Sequence, residues 1–395
     1  VKPNACIRCL LVDPSLFTGP YDAALTEGLL AAGVAPLWAT RPARRGEEDE
    51  IAHEHVRAIF YLRSDDTAVP HRLRALLKGC AHLAGLVRLL RLVASYRPHV
   101  VHVQWAVLPL LDAIVIWLIR WRVPVVMTVH DPTPNNGTRL TLLQRLGFDV
   151  PLRLADHLIV HTHGGRRKLV ARGFDMTRVS VVPHGPLRLR ARASEPRTDA
   201  RYTFVLFGQI KDYKGVDVLV EALALLPREV RSNVRAIVAG RPLMDLAPLR
   251  ARIAALSLED TIELRPQRLS EQEMADLFEA ADCFVFPYRE IDASGVYFLT
   301  KGLRKWVIAS GIGIFAEDIE DGCDGTLIPS GNAECLARAL QHAATTRPSV
   351  PQTPIQDSWH DIGRATRRVY EHVLRRRTQA IPLAEEGAAD VESGR

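Results

Sequence analysis

The chain has 395 residues, of which 47% are hydrophobic and 24% charged, enough for two or three domains with their own cores, which excludes a disulfide-stapled miniprotein or a disordered tail. Its formal charge of +6 is uneven: residues 1–190 hold 25 Lys/Arg against 15 Asp/Glu, the remainder 26 against 30. A basic N-terminal half points to an anionic surface, and without zinc-finger spacing or an RRM signature acidic lipid headgroups fit better than nucleic acid.

Short apolar runs alternate with helix-period segments, the pattern of parallel sheets joined by crossover helices. A short polar start leads straight into "CIRCLLVD" (6–13), so a strand and no signal peptide is expected there. Cys6 and Cys9 form a C-x-x-C inside this apolar run. No second pair completes a zinc site, so buried thiols in a reducing compartment are the preferred reading of all six cysteines. "PYDAALTEGLLAAG" (20–33) predicts a helix, with Pro20 in its first turn and Gly33 past its end. Residues 71–97 predict an amphipathic helix. Its spacing puts His71, Arg74, Lys78, His82 and Arg88 on a wet side, and Leu76, Cys80, Leu83, Val87 and Leu90 on the other. Strands are expected at 99–103, 124–131, 157–162 and 179–185. An apolar helix at 106–121 carries Asp112, and its apolar run is shorter than the ~20 residues of a membrane span.

Residues 186–200 are Pro- and Arg-rich without a period and predict a linker between domains 1–185 and 201–355. The second domain repeats the alternation, with Ser270 and Glu273 spaced for a capping box. A last helix, 356–378, carries Trp359 and Tyr370, and 379–395 reads as a mobile tail. The predicted fold is therefore α/β: two Rossmann-like, doubly wound domains facing a central cleft. Ligands of such sheets bind beyond the carboxyl ends of the strands.

Four loops at those ends carry candidate chemistry. "DPSLFTGPYD" places Gly19 before a helix whose free N–H groups suit an anion. It lacks G-x-G-x-x-G, so no dinucleotide fingerprint is present. "TVHDPTPNNGTR" sets His130 to bond a ligand hydroxyl or phosphate and Asp131 to orient an acceptor. "LFGQIKDYKGVDVLVEAL" places Gly208, Gln209, Lys211 and Lys214 at a strand-to-helix turn. There Lys214 can neutralise a diphosphate, and Lys211 reads rather as a solvated lysine. "PYREIDASGVYFLTKGL" puts Asp292 just before Ser294, Gly295 and Val296, whose N–H groups open a helix toward a phosphate. Against each stands a plainer reading as a turn, a loop pin or a helix cap. Together the loops suit a diphosphate with a sugar or nucleoside on each side.

The order of "VVHVQW", "PVVMTVHDPTP", "ADHLIVHT", "VVPHG", "FGQIKDYKGVDVLVEAL", "LFEAADCFVFPYREIDASGV" and "GIFAEDIEDGCDGTLIPSGN" resembles bacterial glycosyltransferase family 4, retaining enzymes with the GT-B fold. The resemblance runs over roughly residues 5–375 and implies exopolysaccharide or lipid-linked glycan chemistry. It implies that His130 lies beside the donor sugar, that Lys214 binds the donor diphosphate, and that the backbone at Gly295 and Val296 holds the phosphates. It also implies that the last helix packs back on the N-terminal domain. Of the family's glutamates separated by seven residues, the first position is Asp292 and the second is Thr300. Gln209 stands where an arginine is frequent.

The expected activity is transfer of a sugar from a nucleotide-sugar to an acceptor hydroxyl with retention, a hexosyltransferase-like reaction. His130, Asp292 and Lys214 are the catalytic candidates. Gly19, Gly208, Gln209, Lys214, Ser294, Gly295, Val296 and Thr300 are the donor-binding ones, and Asp131 lies on the acceptor side. No cofactor and no metal is expected, the acidic cluster nearest to a D-x-D pair being "SDD" at 64–66. Expected partners are the donor, a glycan or lipid-linked acceptor and an anionic membrane surface, with no nucleic acid. The expected location is the cytoplasm, with a peripheral position on the inner face of the plasma membrane open to it. A catalytically inactive GT-B scaffold, and a GT-B phosphorylase or epimerase, are the alternatives.

Overall fold

The computed structural model describes residues 6–44, 49–62, 71–132, 147–194, 200–351 and 358–380. The N-terminal half runs β1 (Ile7–Asp13), α1 (Gly19–Ala31), β2 (Val34–Thr40), β3 (Val56–Ala58), α2 (His71–Tyr96), β4 (Val100–Val103), α3 (Pro109–Arg120), β5 (Val125–Val129), α4 (Asp149–Leu154), β6 (His157–Val160), α5 (His163–Ala171) and β7 (Val179–Val181). Its seven strands lie in the order β3-β2-β1-β4-β5-β6-β7, every pair parallel. Strands sandwiched between helices are apolar on both faces. That is why "VVHV" and "VVMTV" are buried at every position.

The C-terminal half runs β8 (Tyr202–Phe207), α6 (Val216–Ala224), α7 (Arg228–Arg231), β9 (Val234–Ala239), α8 (Ala247–Ala255), β10 (Ile262–Arg265), α9 (Glu271–Ala280), β11 (Cys283–Phe286), α10 (Gly295–Lys301), β12 (Trp306–Ser310), α11 (Gly313–Asp318), β13 (Gly325–Ile328) and α12 (Ala333–Thr346). Its sheet, β10-β9-β8-β11-β12-β13, is also wholly parallel. Both strand orders reverse direction beside the first strand of the half, between β1 and β4 and between β8 and β11, the crevice where doubly wound sheets bind ligands. The capping box forms: the Ser270 side chain accepts from Glu273 N, and the Glu273 carboxylate accepts from Ser270 N at 2.7 Å.

The last helix, α13 (Trp359–Ala380), packs on α1 of the N-terminal half. Two glycines allow the close crossing, because a Cβ on Gly363 would lie 1.9 Å from Gly28 O and one on Gly28 would lie 2.1 Å from Trp359 O. Tyr370 is buried there with its hydroxyl 2.7 Å from His102 Nδ1. The tail expected at 379–395 lies, from 381 onward, outside the described residues, as do the "SDD" at 64–66 and the linker residues 195–199.

The faces of α2 are not those that the spacing predicts. His82 is fully buried, with Nε2 2.8 Å from Asp112 Oδ1 and Nδ1 2.8 Å from the Tyr61 hydroxyl. Leu76, Leu83 and Val87 are exposed, as is Cys80. The helix instead buries Leu86, Leu89 and Val93 on the sheet. A histidine with carboxylate and phenol partners is cheap to bury, and this shifted the buried stripe away from the one that polarity alone marks. The side chains of His71 and Arg74 lie outside the described residues.

Candidate active site

On the C-terminal wall of the cleft, the chain leaves β8 through Gly208, which has φ +106°. A Cβ at this glycine would sit 2.7 Å from Lys214 Nζ and 2.9 Å from Val296 Cγ2, so Gly208, Lys214 and Val296 converge. Lys214 sits in a one-turn 3₁₀ segment that ends at Gly215, whose left-handed φ of +67° starts α6. Lys214 is 5% exposed. Among the described residues its hydrogen bond is to Phe207 O at 3.3 Å, and it lies 5.2 Å over the Tyr288 ring. Burial pulls its pKa down to about 8.

Lys211, expected as a solvated lysine, is only 8% exposed. Burial lowers its pKa first and the Lys214 charge second, while Asp131 of the opposite domain raises it. Asp131 and Lys211 thus feel each other across the cleft.

Ser294 caps α10, accepting from Tyr297 N, and Gly295 is exposed with no atom near where a Cβ would stand. Thr300 is buried and its hydroxyl donates to Tyr297 O at 2.9 Å, within its own helix. Gln209 is exposed to solvent. Gly19 opens α1, where a Cβ would stand 3.0 Å from the Glu50 side chain.

On the N-terminal wall, His130 ends β5 and stacks on Trp105, with ring centroids 4.8 Å apart. The hydrogen-bond network fixes its tautomer. His161 Nδ1–H donates to Val182 O at 3.0 Å, which leaves Nε2 as an acceptor for His130 Nδ1–H at 3.2 Å. His130 Nε2 then carries a lone pair 3.0 Å from Gln104 Oε1, a contact between two acceptors. The amide orientation that satisfies this chain turns its NH₂ toward His130. Tyr21 meets His130, His161 and His184 with ring centroids 4.9–5.4 Å away. Burial, with smaller contributions from neighbouring histidines, pushes His130 and His184 well below the usual imidazole range and His102 down to about 3. Burial also pushes His161 down to about 4. His130 is therefore neutral at physiological pH, a hydrogen-bonding group and not a cation.

The two walls touch. Lys168 of α5 pairs with Asp292, and the Glu317 carboxylate accepts from His163 N at 2.7 Å and Gly164 N at 2.6 Å, closing the exposed N-terminus of α5. His184 lies flat on Phe298 at 3.7 Å. The candidate residues drawn from the sequence did not include Gln104, Trp105, His161, Lys168, Glu317 or Gly240. The last ends β9 at φ +144°, with Gly208 O only 2.1 Å from where a Cβ would be. His161 in "HLIVHT" and His184 in "VVPHG" were the available signal for the imidazole cluster. Among the described residues, no group of three or more His, Cys, Asp or Glu is placed to hold a metal ion.

Residues 18–185 match the family model of the glycosyl transferase 4-like domain, and residues 201–346 that of the glycosyl transferases group 1. Among curated proteins, the D-inositol 3-phosphate glycosyltransferase of Mycobacterium avium (strain 104) is 29% identical over 287 residues, 66% of this chain and 64% of that protein. The protein of the same name from Nocardia farcinica (strain IFM 10152) is 26% identical over 303 residues, 71% and 67% of the two chains. The chain thus spans about three fifths to two thirds of the length of these relatives. Among solved structures, Anabaena Alr3699/HepE in complex with UDP-glucose superposes with a TM-score of 0.62 and 16% identity, covering 94% of this chain and 100% of that one. The catalytic domain of starch synthase IV from Arabidopsis thaliana, bound to ADP and acarbose, gives 0.67 at 10% identity over 94% and 100%. The architecture is GT-B, with a glycosyl transferase 4-like domain matched in the N-terminal half and a glycosyl transferases group 1 domain matched in the C-terminal half.

Proposed function

We propose that the protein transfers a sugar from a nucleoside diphosphate donor to an acceptor hydroxyl, with retention at the anomeric carbon, in the synthesis of a cell-surface polysaccharide or glycolipid. The observation that carries this reading is the Lys214 ammonium, buried at the cleft beside Gly208 and Val296 with, among the described residues, a single backbone carbonyl as hydrogen-bond partner. A buried cation with so little compensation suits an anion that arrives with the ligand. The UDP-glucose and ADP of the neighbouring structures are diphosphates of the kind that would fill this place.

In the reaction the bond from the anomeric carbon to the donor β-phosphate oxygen breaks, and a bond to the acceptor oxygen forms on the same face. Negative charge builds on the departing diphosphate, where Lys214, Lys211 and the N–H groups of Gly295 and Val296 stabilise it. The acceptor proton passes to the departing phosphate, so no side chain needs to be a strong base. Neutral His130, with its Nε2 lone pair, accepts a hydrogen bond from a sugar hydroxyl once the Gln104 amide yields. Domain closure excludes water and limits hydrolysis. No metal is required in this reading, because lysine and backbone N–H groups take its place.

A nucleotide-sugar panel, read by thermal shift and then by the anomeric configuration of the product, tests this. Stabilisation by one class of donor and a product of retained configuration are expected, and inversion would remove the mechanism. Activity should persist in excess EDTA, and full loss restored by magnesium or manganese would overturn the metal-free part. Binding without any turnover would favour a scaffold, and release of free sugar phosphate a phosphorylase.

A further inference from the structure

We propose that the outer face of α2 and α3 is a docking surface for an anionic lipid bilayer, with Trp117 and Trp121 seated at the headgroup boundary. On α3, Leu110, Ile114, Trp117 and Leu118 are 42–57% exposed and Trp121, just past the helix, 71%. Their spacing of four, three, one and three residues puts them on one stripe. On the opposite stripe Val115, Ile116 and Ile119 are buried on the sheet, beside Asp112 in its pair with His82 of α2, so α3 carries apolar side chains on both faces and only one is used by the fold. Leu76, Leu83 and Val87 of the adjacent α2 continue the exposed surface. Neighbouring large apolar side chains left this exposed on a monomer mark an interaction site.

Charge decides the occupant. Arg377, from the last turn of α13, donates to Arg120 O at 2.8 Å and to Trp121 O at 2.7 Å, which brings the Arg375–Arg377 run to the tryptophan end of the stripe. Arg122 and Arg91 are exposed at the same end, since α2 and α3 both run from the cleft side of the sheet to the far side. The nearby carboxylates are engaged: Asp156 with Arg120 and Val125 N, Glu371 with Arg367 and Arg375. Tryptophans with an arginine collar match an anionic headgroup layer. Two copies of this chain meeting face to face would bring collar against collar. No described helix is long and apolar enough to cross a membrane, so the face lies on the bilayer. α3 starts at the cleft rim after β4. Phe17, 60% exposed and 5.5 Å from the Trp105 ring, marks that rim, so docking would bring the cleft mouth to a lipid-borne acceptor. This last step rests on the proposed transfer; the docking does not.

The test is sedimentation with vesicles of phosphatidylcholine alone or mixed with phosphatidylglycerol, for the wild type, Trp117→Gln/Trp121→Gln and Arg91→Gln/Arg122→Gln. These side chains are exposed, and unchanged melting temperatures check that both variants fold. Wild type should bind the mixed vesicles, with a blue shift of tryptophan emission, and lose binding as salt rises. The tryptophan pair should weaken binding at least tenfold, and each arginine by about fivefold. Donor-induced thermal shift should be the same in all three. Wild type that ignores mixed vesicles at low salt, equal binding by the variants, or a dimer in light scattering that the tryptophan pair dissolves would each overturn the proposal. Vesicle binding without donor binding would leave it standing and remove the proposed transfer instead.

Discussion

The two walls of the cleft meet the same space with opposite electrostatics. The C-terminal wall buries an ammonium, Lys214, with little to compensate it. The N-terminal wall buries three imidazoles, His102, His161 and His184, and half-buries a fourth, His130, all held neutral. In the proposed reaction the first wall meets the diphosphate, a charged group that comes and goes, because its cation is pre-desolvated. In the proposed reaction the second meets neutral sugar hydroxyls, because its imidazoles carry no charge and His130 Nε2 keeps an acceptor lone pair. A nucleotide-sugar presents those two chemistries at its two ends.

The sharpest way to break this contrast is to remove the charge. Lys214→Met keeps most of the stem and should lower turnover by two orders of magnitude or more, about the 2.7 kcal/mol of one oxyanion-type contact. Steady-state rates at saturating donor check it, and near-normal turnover would take Lys214 out of the mechanism.

Acid should act on the other wall. His161, held at about 4 against an unperturbed value of 6.5, binds fewer protons folded than unfolded between those values. Stability from its neutral burial is complete above pH 6.5 and is lost as pH falls toward 4, so it should contribute about 2 kcal/mol less at pH 5 than at pH 8. Melting temperature against pH is the readout, and His161→Gln should flatten the acid limb. A limb of unchanged slope would move the acid sensitivity elsewhere.

Alkali should act on the first wall. With Lys214 at about 8 in the unliganded protein, nucleoside diphosphate affinity should fall up to tenfold per pH unit above pH 8. Titration calorimetry from pH 7 to 9.5 would show the break, and Lys214→Arg should remove it, because a guanidinium keeps its charge. A break that survives in the arginine variant belongs to another group.

Much of this layout was legible in the sequence, for identifiable reasons. Continuous apolar runs such as "YTFVLF" mark strands buried on both faces, and a glycine or a lysine at their ends marks the loops. Gly208, Lys214 and Val296 each stand between a strand pattern and a helix pattern, which groups them at one sheet edge on sequence alone. The network around His130 was not legible, because Gln104, His161 and Val182 come from different strands and only sheet order makes them neighbours. Nor was the face of α2: periodicity identifies the helix, but His82 had a partner, Asp112, on another helix that polarity could not announce. Thr300 shows the same limit from the other side, since its hydroxyl turned out to be used within α10.

The smallest effect should come where the two walls are tied together. Lys168 is half exposed while Asp292 is buried, so their pair is screened on one side and should contribute no more than about 1 kcal/mol to stability. Its consequence should instead be seen in closure. Lys168→Ala removes one of the polar contacts that hold α5 to the C-terminal domain and leaves the Glu317 contact to His163 N and Gly164 N in place. The melting temperature should hardly move. Donor hydrolysis without acceptor should rise relative to transfer, because a cleft that opens more often admits water. Adding Glu317→Gln should enlarge that ratio further. A drop of many degrees in Lys168→Ala would make the pair a structural element of the closed form. An unchanged ratio in both variants would show that closure rests on the His184–Phe298 stack and the helix crossing at Gly28 and Gly363.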